Sequence, residues 1–329
     1  MIFSLWHSGV TALTVVAALA APLAPAQTLA QTSGWPSKTI RLVTPSPVGV
    51  GSDTFARAYA EQLSKALGVA VIVENKPGAS STIGADAVAK APADGHTLLF
   101  SISTPFTMAP FLFAKLPYNA QRDLVPVTQN LKGGSFLVVS NGFAASSLKA
   151  LVAQAKASPG RFSYASYGSG STAHIGFELL QDAAGIDMLH VPYKQSAMTD
   201  VIGGQIDVGF EPPISAIPLI KAGKVKALAY TGAKRSLALP DVPTLAETYP
   251  GLEVFTWQGI WVPAGTPTAI IQRLHTEISR ITRSSEMSRR ILDNGLEPMT
   301  TSPEDTIAII RREAEVMGRI IKAKGITLD

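Results

Sequence analysis

Cysteine is absent from this sequence of 329 residues. The absence excludes disulfides, thiolate metal sites and cysteine nucleophiles, and it excludes the lipid-modified cysteine that would tether an exported protein to a membrane. The net charge of +4 is modest, and the densest basic cluster, between Arg311 and Lys324, is interleaved with Glu313 and Glu315. No basic run with aromatic residues is present, so the pattern predicts a solvated helix face and no nucleic-acid partner.

Charged side chains are missing from the N-terminus, where the first is Lys38. Thr11 to Leu23 form an apolar run that is too short to span a bilayer. Ala24-Pro25-Ala26 then supplies a small-x-small cleavage pattern, which predicts that residues 1–26 are a secretory signal peptide, with cleavage after Ala30 as a second candidate. Because this segment lacks Lys and Arg, a non-cleaved anchor is the alternative. We expect an exported chain without a lipid tether to be free in a periplasm.

Short apolar strands alternate with helical runs from Thr39 onward, which predicts α/β sheets with helices on both faces. The length suggests two domains. Gly133-Gly134 predicts a hinge into the second domain, and the apolar run Phe255 to Val262 predicts the return. The predicted architecture is a two-domain clamshell, type II-like, with a doubly wound sheet in each domain and two hinge crossings. Domain 1 would comprise residues 35–134 and 255–329, and domain 2 residues 135–254.

The loop after the first strand is the leading candidate for a binding site, since ligands of such sheets bind beyond the carboxyl ends of strands. Pro45 to Ser52 cannot continue the strand Ile40 to Val43, and Asp53 stands where an N-cap belongs before a helix that ends at Gly68. Apolar residues recur at helical spacing in that helix, at Phe55, Tyr59, Leu63 and Leu67. Free amides at a helix N-terminus suit an anion. The loop matches neither the dinucleotide fingerprint nor a phosphate loop, which argues against a nucleotide. The alternative is an ordinary connection whose glycines only let the chain turn.

Two further loops follow predicted strands. Ser101 to Pro105 offers hydroxyl groups that either bind a ligand or cap the next helix. Tyr167 to Thr172 is a loop of small hydroxyl residues before a second helix, and two helix N-termini facing across a cleft would hold an acid from both sides. His174, one turn into that helix, could reach a ligand, although we favour a hydrogen bond that fixes the loop.

Four other side chains each have two interpretations. His190 lies in a strand and is expected to be a satisfied core residue, while Tyr193 could contact a ligand or cover a core edge. Lys194 could pair with a carboxylate or simply be exposed, and Glu211 could accept from a ligand donor or cap the next helix. A hydrolase could be assembled from Ser171, His174 and Glu211, but nothing in the pattern orders them as nucleophile, base and orienting acid.

Ordered motifs along the whole chain after the signal peptide resemble those of one family. They are Trp35-Pro36, Pro45 to Asp53, Val73 to Ala79, Pro92 to Leu98, Tyr164 to Ser166, Ser171 to His174, His190 to Lys194, Gly203 to Asp207 and Leu239 to Thr244. This pattern resembles the Bug family, the TctC-type extracytoplasmic solute receptors of tripartite tricarboxylate transporters. The resemblance implies a periplasmic monomer without catalysis or cofactor, which captures a small carboxylic acid between two domains and delivers it to a membrane permease.

The resemblance also implies which loops hold the carboxylate, largely through backbone amides. Carried over, these positions are Pro47, Val48, Gly49, Val50, Gly51, Ser52 and Asp53, then Ser103 and Thr104, then Ser169, Gly170, Ser171 and Thr172 with His174. Three features depart from the family pattern: Val50 replaces a glycine, the loop from Gln195 to Met198 is shorter, and Glu211 stands where Asp is common. The alternative functions are a sensor that presents its liganded state to a membrane histidine kinase, and a hydrolase on the same scaffold.

Overall fold

The computed structural model describes residues 1–2, 34–49, 51–193 and 196–328. Nearly all of the predicted signal peptide, both predicted cleavage positions, Val50 and Lys194 lie outside these described residues. Within the described ranges, no helix is both long enough and apolar enough to cross a membrane.

Strands and helices alternate along the chain, as the sequence predicts. The first group comprises β1 (Ile40–Thr44), α1 (Gly51–Leu67), β2 (Val71–Asn75), a 3-10 turn (Ala79–Ser81), α2 (Thr82–Ala89), β3 (Thr97–Ile102), α3 (Thr104–Thr107), α4 (Ala109–Leu112) and β4 (Leu124–Gly134). The second group comprises β5 (Phe136–Ser140), α5 (Leu148–Ala157), β6 (Ser163–Ser166), α6 (Thr172–Ala184), β7 (Leu189–Pro192), α7 (Met198–Gly203), β8 (Val208–Glu211), α8 (Pro213–Lys221) and β9 (Val225–Tyr230). The chain returns through β10 (Phe255–Pro263), α9 (Thr268–Arg283), α10 (Ser285–Asp293), β11 (Glu297–Pro298) and α11 (Pro303–Ala323).

The strands form two mixed sheets, ordered β11-β4-β10-β3-β1-β2 and β7-β6-β8-β5-β9. Strand β1 runs parallel to β2 and β3, and β6 runs parallel to β7 and β8. Strand β10 is antiparallel to β3 and β4, and β5 is antiparallel to β8 and β9. The alternation of strands and helices predicts parallel strands. This prediction is confirmed for β1 to β3 and for β6 to β8. It is wrong for the pairs that involve β10 or β5, because the outgoing and returning strands run in opposite directions. The predicted domain boundaries stay a prediction, and the two sheets fall on either side of them.

Core residues alternate across the first sheet as the two-residue period of a strand requires. Ile40 and Leu42 face the cluster that contains Phe55 and Tyr59 of α1, while Val43 faces the opposite cluster beneath Trp261. The apolar spacing predicted for α1 is confirmed, since Phe55, Tyr59, Leu63 and Leu67 are all buried. This packing fixes the position of α1 against β1, and with it the loop that joins them.

At the predicted hinge, the chain passes from the end of β4 into the start of β5 with only Ser135 between the two strands. Gly133 and Gly134 end β4 and pair with Thr256 and Phe255 of β10. A Cβ on Gly133 would lie 2.3 Å from Leu296 Cδ2, and one on Gly134 would lie 2.5 Å from the backbone nitrogen of Gly232. These glycines permit close approach of neighbouring segments of the chain, and the hinge predicted at this position stays a prediction.

Thr231 joins the two crossings through four hydrogen bonds. Its amide donates to the Ser135 carbonyl at 2.9 Å and its carbonyl accepts from the Val254 amide at 2.8 Å. Its hydroxyl accepts from the Ser135 amide at 2.7 Å and donates to the Val254 carbonyl. Thr231 is fully buried, so these bonds are shielded from water and hold the outgoing and returning segments together.

The C-terminal end of α11 makes a third connection between the sheets. Lys324 Nζ lies 3.2 Å from Glu178 Oε2 and 2.6 Å from Asp182 Oδ1, both on α6. Beside this ion pair, an apolar cluster joins Leu112 of α4, Ile175 of α6 and Ile321 of α11. Helix α6, which follows the Tyr167 to Thr172 loop, is therefore held in place by the C-terminal helix α11.

In the sequence, Thr266 and Ser302 each stand before a proline, a pattern that predicts an N-cap followed by the first helical residue, and the two positions have different outcomes. Ser302 is the N-cap of α11, with its hydroxyl accepting from the Asp305 amide at 3.0 Å, as predicted. Thr266 is not an N-cap, because α9 begins at Thr268 after Pro267 and the Thr266 hydroxyl donates to the Pro263 carbonyl at 2.7 Å.

Three successive residues, none of them glycine, adopt left-handed backbone angles. The φ angles of Ala79, Ser80 and Ser81 are 45°, 51° and 71°. We expect Ser81→Gly to raise the free energy of unfolding by roughly 0.5–1 kcal/mol, because relief of the left-handed strain exceeds the extra entropy of glycine in the unfolded chain. Urea denaturation at neutral pH measures this change. As a control, Ala87→Gly inside α2 should destabilise by about 0.5–1 kcal/mol; equal losses at the two positions would contradict the strain argument.

Candidate functional site

A buried carboxylate holds the loop between β1 and α1. Asp53 Oδ2 accepts from the Gly49 amide at 2.8 Å and from Arg57 Nε at 3.0 Å. Asp53 Oδ1 accepts from Asn75 Nδ2 at 2.7 Å, and the same Asn75 nitrogen donates to the Ser46 carbonyl at 2.9 Å. The loop is thereby tied both to the helix that follows it and to the end of β2.

Asp53 is not the N-cap that the sequence predicts, because α1 already begins at Gly51. Its carboxylate instead reaches back to an amide before the helix, in the manner of the acid of a capping box. Burial acts to raise the pKa of Asp53, but hydrogen bonds from Arg57, the Gly49 amide and Asn75 outweigh it and lower the pKa below its usual value. Asp53 is therefore ionised at neutral pH and positions the loop.

The N-terminus of α1 offers free donors. Gly51 and Ser52 are its first two residues and are half-buried. Amides in a first helical turn have no acceptor within the helix and lie at the positive end of its dipole. Pro47, Val48 and Gly49 precede them in an exposed part of the loop. The arrangement can receive an anion at Gly51 and Ser52.

The loop after β3 is largely buried. Ser103 and Thr104 are 2% and 5% exposed, and the Ser103 carbonyl accepts from the Phe106 amide at 2.9 Å as α3 begins. The Ser103 hydroxyl makes no capping hydrogen bond, so the capping role allowed by the sequence is wrong for Ser103. Direct ligand contact by Ser103 and Thr104 stays a prediction.

His174 fixes the loop before α6, as the sequence favours. Its Nδ1 accepts from the Gly170 amide at 3.0 Å, and its own amide donates to the Ser171 hydroxyl, the N-cap of α6, at 3.3 Å. Burial lowers the pKa of His174 despite nearby Glu178, so the ring is neutral at pH 7 and Nδ1 can accept. Thr172 opens the helix beside this cap, and Ser169 is exposed on the loop.

His190 is hydrogen-bonded but only half-buried, on the edge strand β7, so the predicted core position is confirmed only in part. Its ring stacks on His174 with centroids 3.9 Å apart and an angle of 8° between the planes. Its Nε2 lies 2.7 Å from the Ser166 hydroxyl. Burial, and then the neighbouring His174, lower the pKa of His190 to about 4, so the stacked rings carry no charge at neutral pH.

Glu211 accepts hydrogen bonds from three hydroxyl groups of the protein. Tyr167, Ser215 and Ser196 donate to it at 2.6, 3.0 and 3.2 Å. Burial raises the pKa of Glu211, and these hydrogen bonds only partly offset that effect. The alternative role as a helix cap is wrong, because α8 has no side-chain cap, while contact with a ligand donor stays a prediction.

Tyr193 covers a core edge, which is one of its two predicted roles. Its ring packs against the cluster of Phe136 and Met198, and its hydroxyl hydrogen-bonds to Asp200. This hydrogen bond is the main reason that the pKa of Tyr193 is raised. Lys194, the next residue, lies outside the described residues.

A cavity of about 260 Å³ lies between α1 and the start of α8. Gly51, Ser52 and Phe55 of α1 line one side, and residues 212–214 at the start of α8 line the other. The crossings at residues 133–135 and Thr256 form its floor, with Ile102, Leu131, Gln258, Asn294 and Leu296 completing the wall. Of the predicted ligand residues, Gly51 and Ser52 line this cavity.

Sequence reasoning missed three residues that shape the site. Asn75 was placed in a turn, although a polar side chain at the end of β2 lies beside the carboxyl end of β1. Gln258 is the single amide side chain in the mostly apolar strand β10. This exception to the apolar pattern could have identified it from the sequence. Tyr167 was grouped with the small residues of its loop, and its bond to Glu211 depends on the tertiary structure. Among the described residues, no three His, Asp or Glu side chains gather in a group that could hold a metal ion.

Removal of the Asp53 charge should destabilise the fold in a pH-dependent way. We expect Asp53→Asn to lower the free energy of unfolding by about 2 kcal/mol at pH 7, because two donors share one charged oxygen. The pKa of Asp53 in the folded protein lies below that of Asp in the unfolded chain, about 3.9. The stabilisation by the charged carboxylate is therefore complete above about pH 3.9 and is lost as the pH falls through the lowered pKa.

Urea denaturation between pH 7 and pH 2.5 tests this expectation. The difference between the wild type and Asp53→Asn should be constant above pH 5 and shrink below pH 4. Glu61→Gln, which removes an exposed ion pair with Lys65, serves as the control and should have little effect at any pH. A difference that stayed constant down to the lowest pH would show that the charge contributes nothing.

Comparison with known proteins places this fold and site in one family. The model of the TctC family, described as the tripartite tricarboxylate transporter family receptor, matches residues 55–326. Protein BugT of Bordetella pertussis is 34% identical to this chain over 298 residues, which cover 89% of this chain and 91% of BugT.

Two solved structures of Rhodopseudomonas palustris proteins are also similar. Rpa4515 with adipate has a TM-score of 0.81 and 31% identity, and the match covers 89% of this chain and 100% of that one. MatC with bound malate has a TM-score of 0.77 and 29% identity, with 87% and 100% covered. The chain therefore belongs to the Bug or TctC family, a family of periplasmic solute-binding receptors and not of enzymes.

Proposed function

We propose that this receptor binds a small carboxylic acid between its two domains, with a carboxylate at the N-terminus of α1. The observation that carries the proposal is the opening of the Gly51 and Ser52 amides onto the cavity. Asp53 and Asn75 hold the preceding loop in place, so little ordering entropy is lost when a ligand binds. Each hydrogen bond from such an amide to a carboxylate contributes about 1.5–3 kcal/mol.

The remaining predicted ligand residues divide into two groups by their contacts. Asp53 and His174 already use their side chains to hold a loop, and they act on the ligand through that loop. Residues Pro47 to Ser52, Ser103 and Thr104, and Ser169 to Thr172 are proposed to contact the acid directly, through those backbone amides that do not already donate within the protein as the Gly49 and Gly170 amides do, with Tyr193, Lys194 and Glu211 at the periphery. Support for an acid also comes from the relatives, since the structures that resemble this one include complexes with adipate and malate.

We further propose that the receptor is exported with a cleaved signal peptide and works as a monomer. Its liganded form would deliver the acid to a membrane permease of the tripartite tricarboxylate type, in keeping with the description of its family. Two domains joined by two crossings can close on a ligand and present a changed surface to such a permease.

A thermal-shift series tests carboxylate binding. Succinate, malate, adipate and benzoate are compared with their uncharged amides, using protein that has been unfolded and refolded to remove any acid acquired during growth. A ligand at 100 times its dissociation constant stabilises by about 2.7 kcal/mol, which corresponds to several degrees for domains of this size. We expect at least one acid to raise the midpoint and its amide to leave the midpoint unchanged. Equal shifts with acid and amide, or no shift with any acid, would overturn the proposal.

A matched pair of variants locates the site. Ser52→Glu places a carboxylate at the cavity end of α1, where it occupies the free amides and repels an acid, so we expect the ligand-induced shift to disappear. Ser285→Glu places the same charge in the exposed first turn of α10 and should leave the shift intact. A full ligand-induced shift in Ser52→Glu would exclude this end of α1 as the carboxylate site.

A further inference from the structure

The cavity beside α1 contains one amide side chain without a partner. Gln258 is 9% exposed and lines the cavity, and its Oε1 has no hydrogen-bond partner among the described residues. No described group accepts from its Nε2 either. A buried amide without partners is rare in folded proteins because its desolvation is not repaid. An apolar side chain at this position would suit the fold better.

The sheet register places Gln258 among apolar neighbours. Gln258 stands opposite Ile102 of β3 and opposite Leu131 of β4, and directly paired residues share a face of a sheet. Both neighbours line the same cavity, together with Phe55. Both directly paired neighbours of the amide are therefore apolar, and Thr256 is the other polar side chain of β10 in the lining.

The lining carries no charge. Among the described residues around the cavity, the polar side chains are Ser52, Ser135, Thr256, Gln258 and Asn294. The other side chains are apolar, and the free amides at the start of α1 supply the positive potential. A carboxylate can be accepted at the start of α1. Beside Gln258 the lining offers a neutral amide and apolar side chains, which suit an uncharged polar group better than a second carboxylate.

The volume limits the ligand. An engineered apolar cavity of about 150 Å³ holds one benzene ring, and this cavity measures about 260 Å³. It has room for one six-membered ring with a carboxylate and one more small substituent. Drug-sized pockets begin at about 300 Å³, so this volume suits a single ring better than two.

We propose that the preferred ligand is a monocarboxylic acid with a single uncharged ring that bears a hydroxyl group directed at Gln258. This inference rests on the proposed function and adds the chemical class of the acid. The carboxylate meets the Gly51 and Ser52 amides, the ring contacts Phe55, Ile102 and Leu131, and the hydroxyl pairs with the Gln258 amide. A hydroxyl both donates and accepts, so it matches the amide in either of its orientations.

Calorimetric titration of the purified, refolded protein tests the assignment. The probes are 3- and 4-hydroxybenzoate, benzoate, terephthalate and 4-hydroxybenzyl alcohol, with malate and adipate as reference acids. We expect the better hydroxybenzoate to bind at least fivefold tighter than benzoate and at least tenfold tighter than terephthalate, and the alcohol to show no binding. Tighter binding of terephthalate than of both hydroxybenzoates would overturn the assignment.

Variants separate the role of Gln258 from general packing. In Gln258→Leu, the ratio of hydroxybenzoate to benzoate affinity should fall to within twofold of one. Gln154→Leu, on α5 and outside the cavity lining, should keep the wild-type ratio. An unchanged ratio in Gln258→Leu would show that the amide does not contact the hydroxyl, and the assignment would fall.

The reference acids distinguish failure of the ring-acid proposal from failure of the carboxylate-receptor proposal. If malate or adipate binds and none of the ring acids does, the assignment of a ring is wrong and the carboxylate receptor stands. If no acid of either set binds, both proposals fail.

Discussion

The buried hydrogen bonds of Thr231 are the constraint on which the two-domain arrangement depends. Through them the outgoing segment at Ser135 and the returning segment at Val254 are held to one residue. The strands on the first-sheet side of these segments, β4 and β10, are paired along their whole length. Both crossings are therefore tied to the same buried residue. The cavity lies beside them, with residues 133–135 and Thr256 in its lining, and Lys324 adds a third connection between α11 and α6.

The electrostatics of the site come from backbone groups more than from side chains. Asp53 is ionised, but Arg57 and two further donors satisfy it. His174 and His190 are kept neutral by burial, and burial also raises the pKa of Glu211. With these side chains either satisfied or uncharged, the amides at the start of α1 provide the fixed positive potential in the cavity. In the proposed binding mode, the receptor recognises a carboxylate without a salt bridge, and the remaining wall of the cavity selects the body of the ligand.

Local patterns predicted the elements well where one face of an element is apolar. The spacing of Phe55, Tyr59, Leu63 and Leu67 identified α1, and Ser302 before Pro303 identified the start of α11. Strand β4 was missed because Pro126, Gln129 and Asn130 interrupt its apolar pattern, and its pairing partner lies more than a hundred residues away in the chain. Gly133 and Gly134 were given a flexible role for a related reason: a glycine pair has the same local appearance whether it bends or packs closely. The contacts with Leu296 and Gly232 show the close packing, and they are visible only in the tertiary structure.

The sequence by itself determined the family and the alternation of strands and helices, and it predicts the loops after β1 and β6 as the places for a ligand. These properties follow from short-range chemistry: prolines and glycines end strands, hydroxyl residues begin helices, and ordered motifs persist among relatives. The tertiary structure decided that Asp53 holds the loop from inside the helix, that Glu211 faces three hydroxyl groups, and that Gln258 lies between two apolar neighbours. Each of these depends on partners far away in the chain, whose distance and orientation arise only when the two sheets are packed and joined.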